Sequence, residues 1–429
     1  MRRRLLVLVF FSLLIRIPAA AGAASTHKGW RFVASRELKE APDLTESVWE
    51  LNRPPYGAYD KIALHRLKRT GKTRSKAVIL YFPPSGTSAA LYTGDIQEAE
   101  KYDFRIYLAE RDYEIYSVNY RTAFVPIGGK DYPFMAGWTT EVYLSDLFEA
   151  GKQAKKISGK KFFIAGHSTG GRYVYHFAAQ HQDHVKGIIC LDGGPWESDG
   201  SPAAPYTMDL QKGYDAIKSG DNPKSRALLA GWGLDVGDGF YNANLGNWSV
   251  HFSSAIRLYY SPKPYGPDYP CPEEWGPEAS GKTVREFLKK QFQSVWGDGQ
   301  LSNVENGYAD IGVLLAYAMN SGTEWPLAEY LGDAYVGNWR GKMPDKRMSY
   351  FKNLKNVELP LIIFSAERLT TALGMRYWFK ELGTALLGSR DTRFVPLEGF
   401  GHLDVLMGTK AKEKVFEPLR QWLEAKSKQ

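Results

Sequence analysis

The sequence predicts an α/β fold in which a mostly parallel β-sheet is flanked by helices. Three observations carry that reading. Apolar runs of strand length alternate with helix-length amphipathic segments, the pattern of parallel strands joined by crossover helices. The stretch FFIAGHSTGG, residues 162–171, sets a serine between small residues where one such run stops and a helical pattern starts. One long gap, residues 193–358, breaks the alternation and far exceeds the single helix that two neighbouring parallel strands need.

With 429 residues and 44% hydrophobic side chains, the chain can bury a large core as one domain carrying an insertion. Its start, MRRRLLVLVFFSLLIRIPAAAGA, runs from cations through an apolar stretch to small residues, so residues 1–23 read as a cleavable secretory signal peptide. Arg16 interrupts the apolar run and no later segment is long enough to span a bilayer, which implies a secreted or periplasmic protein with no stable membrane span.

The first part of the core is expected at residues 24–192 and the second at 359–429, on either side of the long gap. Within them the strand-like runs are KAVILYF (76–82), YEIYSVNY (113–120), KKFFIAG (160–166), VKGIICLD (185–192), LPLIIFSA (359–366) and TRFVPLE (392–398), with KIALHRLKR as an added edge strand. Leu144, Leu147, Phe148 and Gly151 share one helical face, as do Val415, Phe416, Leu419, Trp422 and Leu423; Pro418 is expected to bend that last helix. The gap at 193–358 reads as a large, mainly helical cap inserted after the sixth strand. It holds seven of the twelve tryptophans, which suit either a small aromatic core or the wall of an apolar cleft.

Loss of residues 1–23 leaves 51 basic against 47 acidic side chains, too small an excess to argue for nucleic acid. The basic run RLKRTGKTRSK (66–76) reads as a solvated hairpin loop. Cys190 and Cys271 allow one disulfide, but Cys190 lies in a buried-strand pattern and both are expected to stay unpaired.

Gly166-His167-Ser168-Thr169-Gly170 fits G-x-S-x-G between a strand and a helix, which makes Ser168 the candidate nucleophile on a sharp turn. A serine hydroxyl needs a base in contact and a group that orients the base. His402, in the glycine-flanked GFGHLDVLMG, is the candidate base. Glu367, directly after the LPLIIFSA run, is the preferred acid, and Asp192, at the end of VKGIICLD, is the alternative. The oxyanion hole is expected to use the N–H of Thr169 and a second donor from YFPPSGTSA, where Pro83 and Pro84 have none: Ser85 first, Gly86 second. His176, His181 and His184 are expected to pack or face solvent rather than bind a metal.

This combination resembles the α/β-hydrolase superfamily over residues 60–192 and 359–429, and His402-Leu403-Asp404 followed by Gly408 is similar to the histidine segment of acid lipases. The resemblance implies the α/β-hydrolase fold and serine esterase chemistry without cofactor. Two departures stand out: Leu369 occupies the place where those lipases usually carry their aspartate, and a double proline replaces a common His-Gly pair in the oxyanion loop.

GPEASGKT (276–283) matches a phosphate-loop pattern, but GPDYPCPEEW before it is no buried strand and Glu278 would set a carboxylate among phosphates. The expected function is therefore a serine hydrolase cleaving small-molecule or lipid-like carboxylic esters through an acyl-enzyme on Ser168. A peptidase or amidase on the same machinery, or a binding protein that keeps the fold without catalysis, are the competing readings. Oligomeric state is left open.

Overall fold

The computed structural model describes residues 29–39, 41–84, 89, 98–124, 138, 140–195, 266–295, 299, 302–314, 353–372, 376–377, 379–380, 383 and 387–428. The expected signal peptide lies outside the described residues, and so does most of the expected cap.

Among the described residues nine strands form one sheet, in the order β1-β2-β3-β5-β4-β6-β7-β8-β9. They are β1 (Arg31–Glu37), β2 (Leu44–Asn52), β3 (Lys61–Arg69), β4 (Val78–Phe82), β5 (Glu114–Asn119), β6 (Phe162–His167), β7 (Val185–Leu191), β8 (Leu361–Ala366) and β9 (Thr392–Leu397). β1, β2, β3 and β5 pair antiparallel; the pairs from β5 through β4 to β9 are all parallel. The six apolar runs of the sequence all become strands of the parallel part.

KIALHRLKR is a strand, but not an edge strand. It is β3, third from the margin, because β1 and β2 extend the sheet beyond it. The pattern hid those two strands for a physical reason. β1 is exposed along its whole length, so it shows no apolar alternation. β2 buries Glu46, whose carboxylate accepts from His65 Nδ1 at 2.9 Å and Arg36 Nε at 2.8 Å. Among the described residues seven strands precede residue 193, where the expectation set the insertion after the sixth.

The parallel strands from β5 through β4 to β8 are buried on both faces, while β9 at the margin is only partly covered. Along β4, Ile79 and Tyr81 join one apolar cluster while Val78, Leu80 and Phe82 join the other. On one face lie α1 (Phe104–Ala109) and α7 (Glu417–Ser427); on the other lie α2 (Thr140–Ser158) and α3 (Thr169–His181). Leu144 and Leu147 on α2 are buried, as are Val415, Phe416, Leu419, Trp422 and Leu423. Pro418 lies where a π-helical turn at Lys412–Phe416 runs directly into α7, so the irregular turn of the helix falls where the proline removes an N–H from the ladder.

The basic run 66–76 divides between β3 and the loop behind it. Among its cations, Arg66 lies over the Trp49 ring, and Arg69 and Lys72 reach Asp112 at 3.7 and 3.9 Å. Both cysteines are free. The phosphate-loop look-alike forms turns, and its Thr283 opens α4 (Val284–Val295) through a capping box: Glu286 Oε2 accepts from Thr283 N at 2.8 Å and Glu286 N donates to Thr283 Oγ1 at 3.3 Å.

Glu46 gives the fold an acid-sensitive spot. Burial alone would raise its pKa, but the His65 hydrogen bond and charge, with Arg36, lower it from 4.5 to about 2. A carboxylate held low stabilises the fold above its unfolded pKa and loses that contribution as pH falls toward the folded value, here at most about 3 kcal/mol. Urea midpoints measured from pH 5 down to 2.5 should therefore fall less steeply in Glu46→Gln than in the wild type; parallel slopes would contradict this role.

Candidate active site

The serine turn is built by lack of space. β6 runs straight into α3, and Ser168 between them adopts φ 54°, ψ −118°, outside the usual region for a residue with a side chain. The crossing is so close that a Cβ on Gly166 would lie 2.1 Å from the Gly170 carbonyl oxygen, and one on Gly170 would lie 1.9 Å from that of Phe82. Glycine at both positions is thus a steric requirement. The turn is tied by Ser168 N donating to Leu191 O at 3.3 Å and Arg172 N donating to Ser168 O at 3.2 Å.

His402 lies in the loop between β9 and α6 (Asp404–Met407) and is almost fully buried. Its Nδ1 bonds Asp192 Oδ2 at 2.5 Å. Asp192 follows β7, the strand beside the serine's own, and is completely buried. Its other oxygen, Oδ1, accepts the Ala366 N–H at 2.7 Å, and its backbone N–H donates to Phe364 O at 2.8 Å, so the carboxylate is fixed against the end of β8. Burial disfavours charge on both partners, pulling the imidazole down and the carboxyl up; the Arg172 guanidinium lowers the imidazole further. The neutral imidazole that results is the form able to take a proton.

Of the two candidate acids, the structure brings Asp192 to His402 and leaves Glu367 elsewhere. Glu367 opens α5 (Glu367–Ala372); its Oε2 accepts the Gly399 N–H at 2.8 Å and its Oε1 pairs with Arg376 at 2.7 Å. It braces the start of the histidine loop instead of the imidazole. The serine's neighbour His167, which no sequence pattern singles out, holds the same loop: its Nε2 donates to the His402 carbonyl at 2.9 Å, and the two rings lie 4.3 Å apart. That contact sets His402 beside the serine turn. Among the described residues the Ser168 hydroxyl and His402 do not hydrogen-bond; such bonds are often long without substrate and tighten when it binds.

Thr169, the expected oxyanion donor, is the first residue of α3, with its N–H at the positive end of that helix. Ser85 and Gly86 lie outside the described residues. The loop that carries them is held at its near end by Tyr120, whose hydroxyl donates to Pro83 O at 2.9 Å, and beyond them by Asn119 Oδ1, which accepts the Ala89 N–H at 2.5 Å. His176 is buried, and His181 stacks on Phe148 with ring centres 3.7 Å apart, with His184 edge-on to the same ring. These three are packing residues.

No protein-family model matches the chain, and no curated protein matches it either. Solved structures do. A proposed lipase from Sulfolobus solfataricus is 20% identical and superposes with a TM-score of 0.59 over 93% of this chain and 99% of that one. The chain thus has the α/β-hydrolase fold, as the sheet order and the serine turn indicate. More loosely similar are a thermophilic esterase from Thermogutta terrifontis (14% identity, TM-score 0.46, 86% of this chain and 96% of that one) and a monoglyceride lipase variant from Saccharomyces cerevisiae (13%, 0.44, 95% and 98%).

The two carboxylates make opposite forecasts. Asp192→Asn should lower kcat on a p-nitrophenyl ester by about 10⁴-fold, as expected when the imidazole loses its orienting acceptor. Glu367→Gln, which keeps an acceptor for Gly399, should change kcat by less than about tenfold. The reverse ranking in steady-state kinetics would return the acid's role to Glu367.

Proposed function

We propose that this protein is an exported serine hydrolase that cleaves carboxylic esters, preferentially those of hydrophobic or lipid-like acids. One observation supports the reading: a serine on a strained strand-to-helix turn directly follows His167, which holds the backbone of a histidine whose Nδ1 is bound at 2.5 Å to a buried aspartate. A structural hydroxyl would need neither the positive φ nor the steric exclusion of side chains at Gly166 and Gly170.

In this reading Ser168 Oγ attacks the ester carbonyl while His402 Nε2 takes its proton. Asp192 keeps Nδ1 protonated and stabilises the imidazolium that forms. The N–H of Thr169, with a second from Ser85 or its neighbour, receives the negative charge that develops on the carbonyl oxygen; each such donor lowers the barrier by about 3 kcal/mol. His402 then protonates the leaving alcohol, and water, deprotonated by the same imidazole, releases the acid and regenerates the serine. The cationic and apolar leader at residues 1–23 supports export, and the tryptophan-rich insertion supports an apolar acyl group. The contact between His402 and Asp192 weighs against a binding protein without catalysis, which would have no call for it.

A fluorophosphonate probe should label the wild type once per chain and leave Ser168→Ala unlabelled. On a panel of p-nitrophenyl esters of increasing acyl length with a matching anilide, turnover should favour esters and rise with chain length. Anilide preference would make the protein an amidase, and absence of both labelling and turnover would leave only the fold.

A further inference from the structure

The histidine loop is gripped from the insertion. Residues 302–314, which belong to the segment between β7 and β8, pack against residues 399–409 through a paired set of bonds. Asn303 Nδ2 donates to Gly399 O at 2.6 Å. The Asn303 backbone N–H donates to Asp404 Oδ2 at 3.0 Å, and that same oxygen accepts the Gly401 N–H at 2.7 Å. Asn306 Nδ2 donates to Asn303 Oδ1 at 2.9 Å, which leaves the Asn303 amide nitrogen facing Gly399. Asn303 and Asp404 are both buried, and the Tyr308 ring closes over Gly399, where a Cβ would lie 2.4 Å from it.

We propose that Asn303 is a positioning residue for His402: the insertion supplies, through Asn303 and its acceptor Asp404, the clamp that holds the imidazole on Asp192. His402 lies between the two points gripped, Gly399 and Gly401 on one side and Asp404 on the other. Its ring direction is fixed by the backbone of this short loop, so a released Gly399 carbonyl lets the imidazole swing off the carboxylate. The insertion is then part of the catalytic apparatus and not only a cover for it. This inference rests on the esterase reading for its kinetic consequence but not for its structural one.

The test is Asn303→Ala, with Asn303→Asp as a same-shape variant that cannot donate to Gly399 when ionised. With kcat normalised to folded protein by circular dichroism, both should lose about tenfold in kcat with KM within twofold, the size expected from one buried hydrogen bond. A structural role alone would lower the melting temperature and leave normalised kcat unchanged. Independently of turnover, the low-field proton resonance of His402 Nδ1 should broaden or vanish in both variants. An unchanged resonance overturns the inference whether or not the protein hydrolyses esters; a lost resonance in a protein without esterase activity upholds the clamp and refutes the esterase reading instead. Unaltered kcat in a folded, active variant likewise overturns it.

Discussion

At the end of β4 the Phe82 carbonyl meets the backbone of Gly170, with no space between them for a single methyl group. The site is arranged around that contact. It presses the first turn of α3 onto the tips of β4 and β6, and the only way for the chain to make the corner is to hold Ser168 at positive φ. Strain of this kind costs on the order of 1–3 kcal/mol and persists only where its surroundings leave no alternative. Here they leave none: the corner is bonded to β7 through Leu191 O, and beyond it Gly193 lies within van der Waals reach of Gly171. Ser168, the strand that carries Asp192 and the end of β4 are brought into one place by backbone packing before any side chain takes part.

The histidine loop follows the opposite principle. It has almost no regular structure, so its conformation has to be imposed bond by bond. Glu367 takes the Gly399 N–H, the Arg368 N–H donates to Phe400 O at 3.1 Å, His167 donates to the His402 carbonyl, and Asp404 takes the Gly401 N–H. Each bond contributes only about 1 kcal/mol, but together they leave the loop few alternatives. Burial then acts on a ring already in place and disfavours its charged form.

The sequence made legible what depends on short-range pattern. The parallel strands announced themselves because strands covered on both faces are apolar throughout, and flanking glycines are what single out Ser168 and His402 as candidates. β1 and β2 stayed hidden because one is exposed and the other buries a charged residue, so neither alternates. The acid was narrowed to two carboxylates that both stand at strand ends and both fit the chain order. Choosing between them needs the sheet order, which puts the end of β7 directly beside the serine's strand, and no local pattern contains that. Asn303 left no trace at all: it is one asparagine in the long segment between β7 and β8, and its partners in the histidine loop lie about a hundred positions further along the chain.

Because Asp192 sits at the tip of β7 while Glu367 sits at the tip of β8, two acidic groups on adjoining strands abut the same short loop from different sides. One orients the imidazole and the other supports the peptide bond three residues before it. Because each carboxylate is anchored to its own strand, any slip of β8 against β7 would move the imidazole's partner and the Gly399 peptide by different amounts, so the registry of these two strands sets the geometry of the loop.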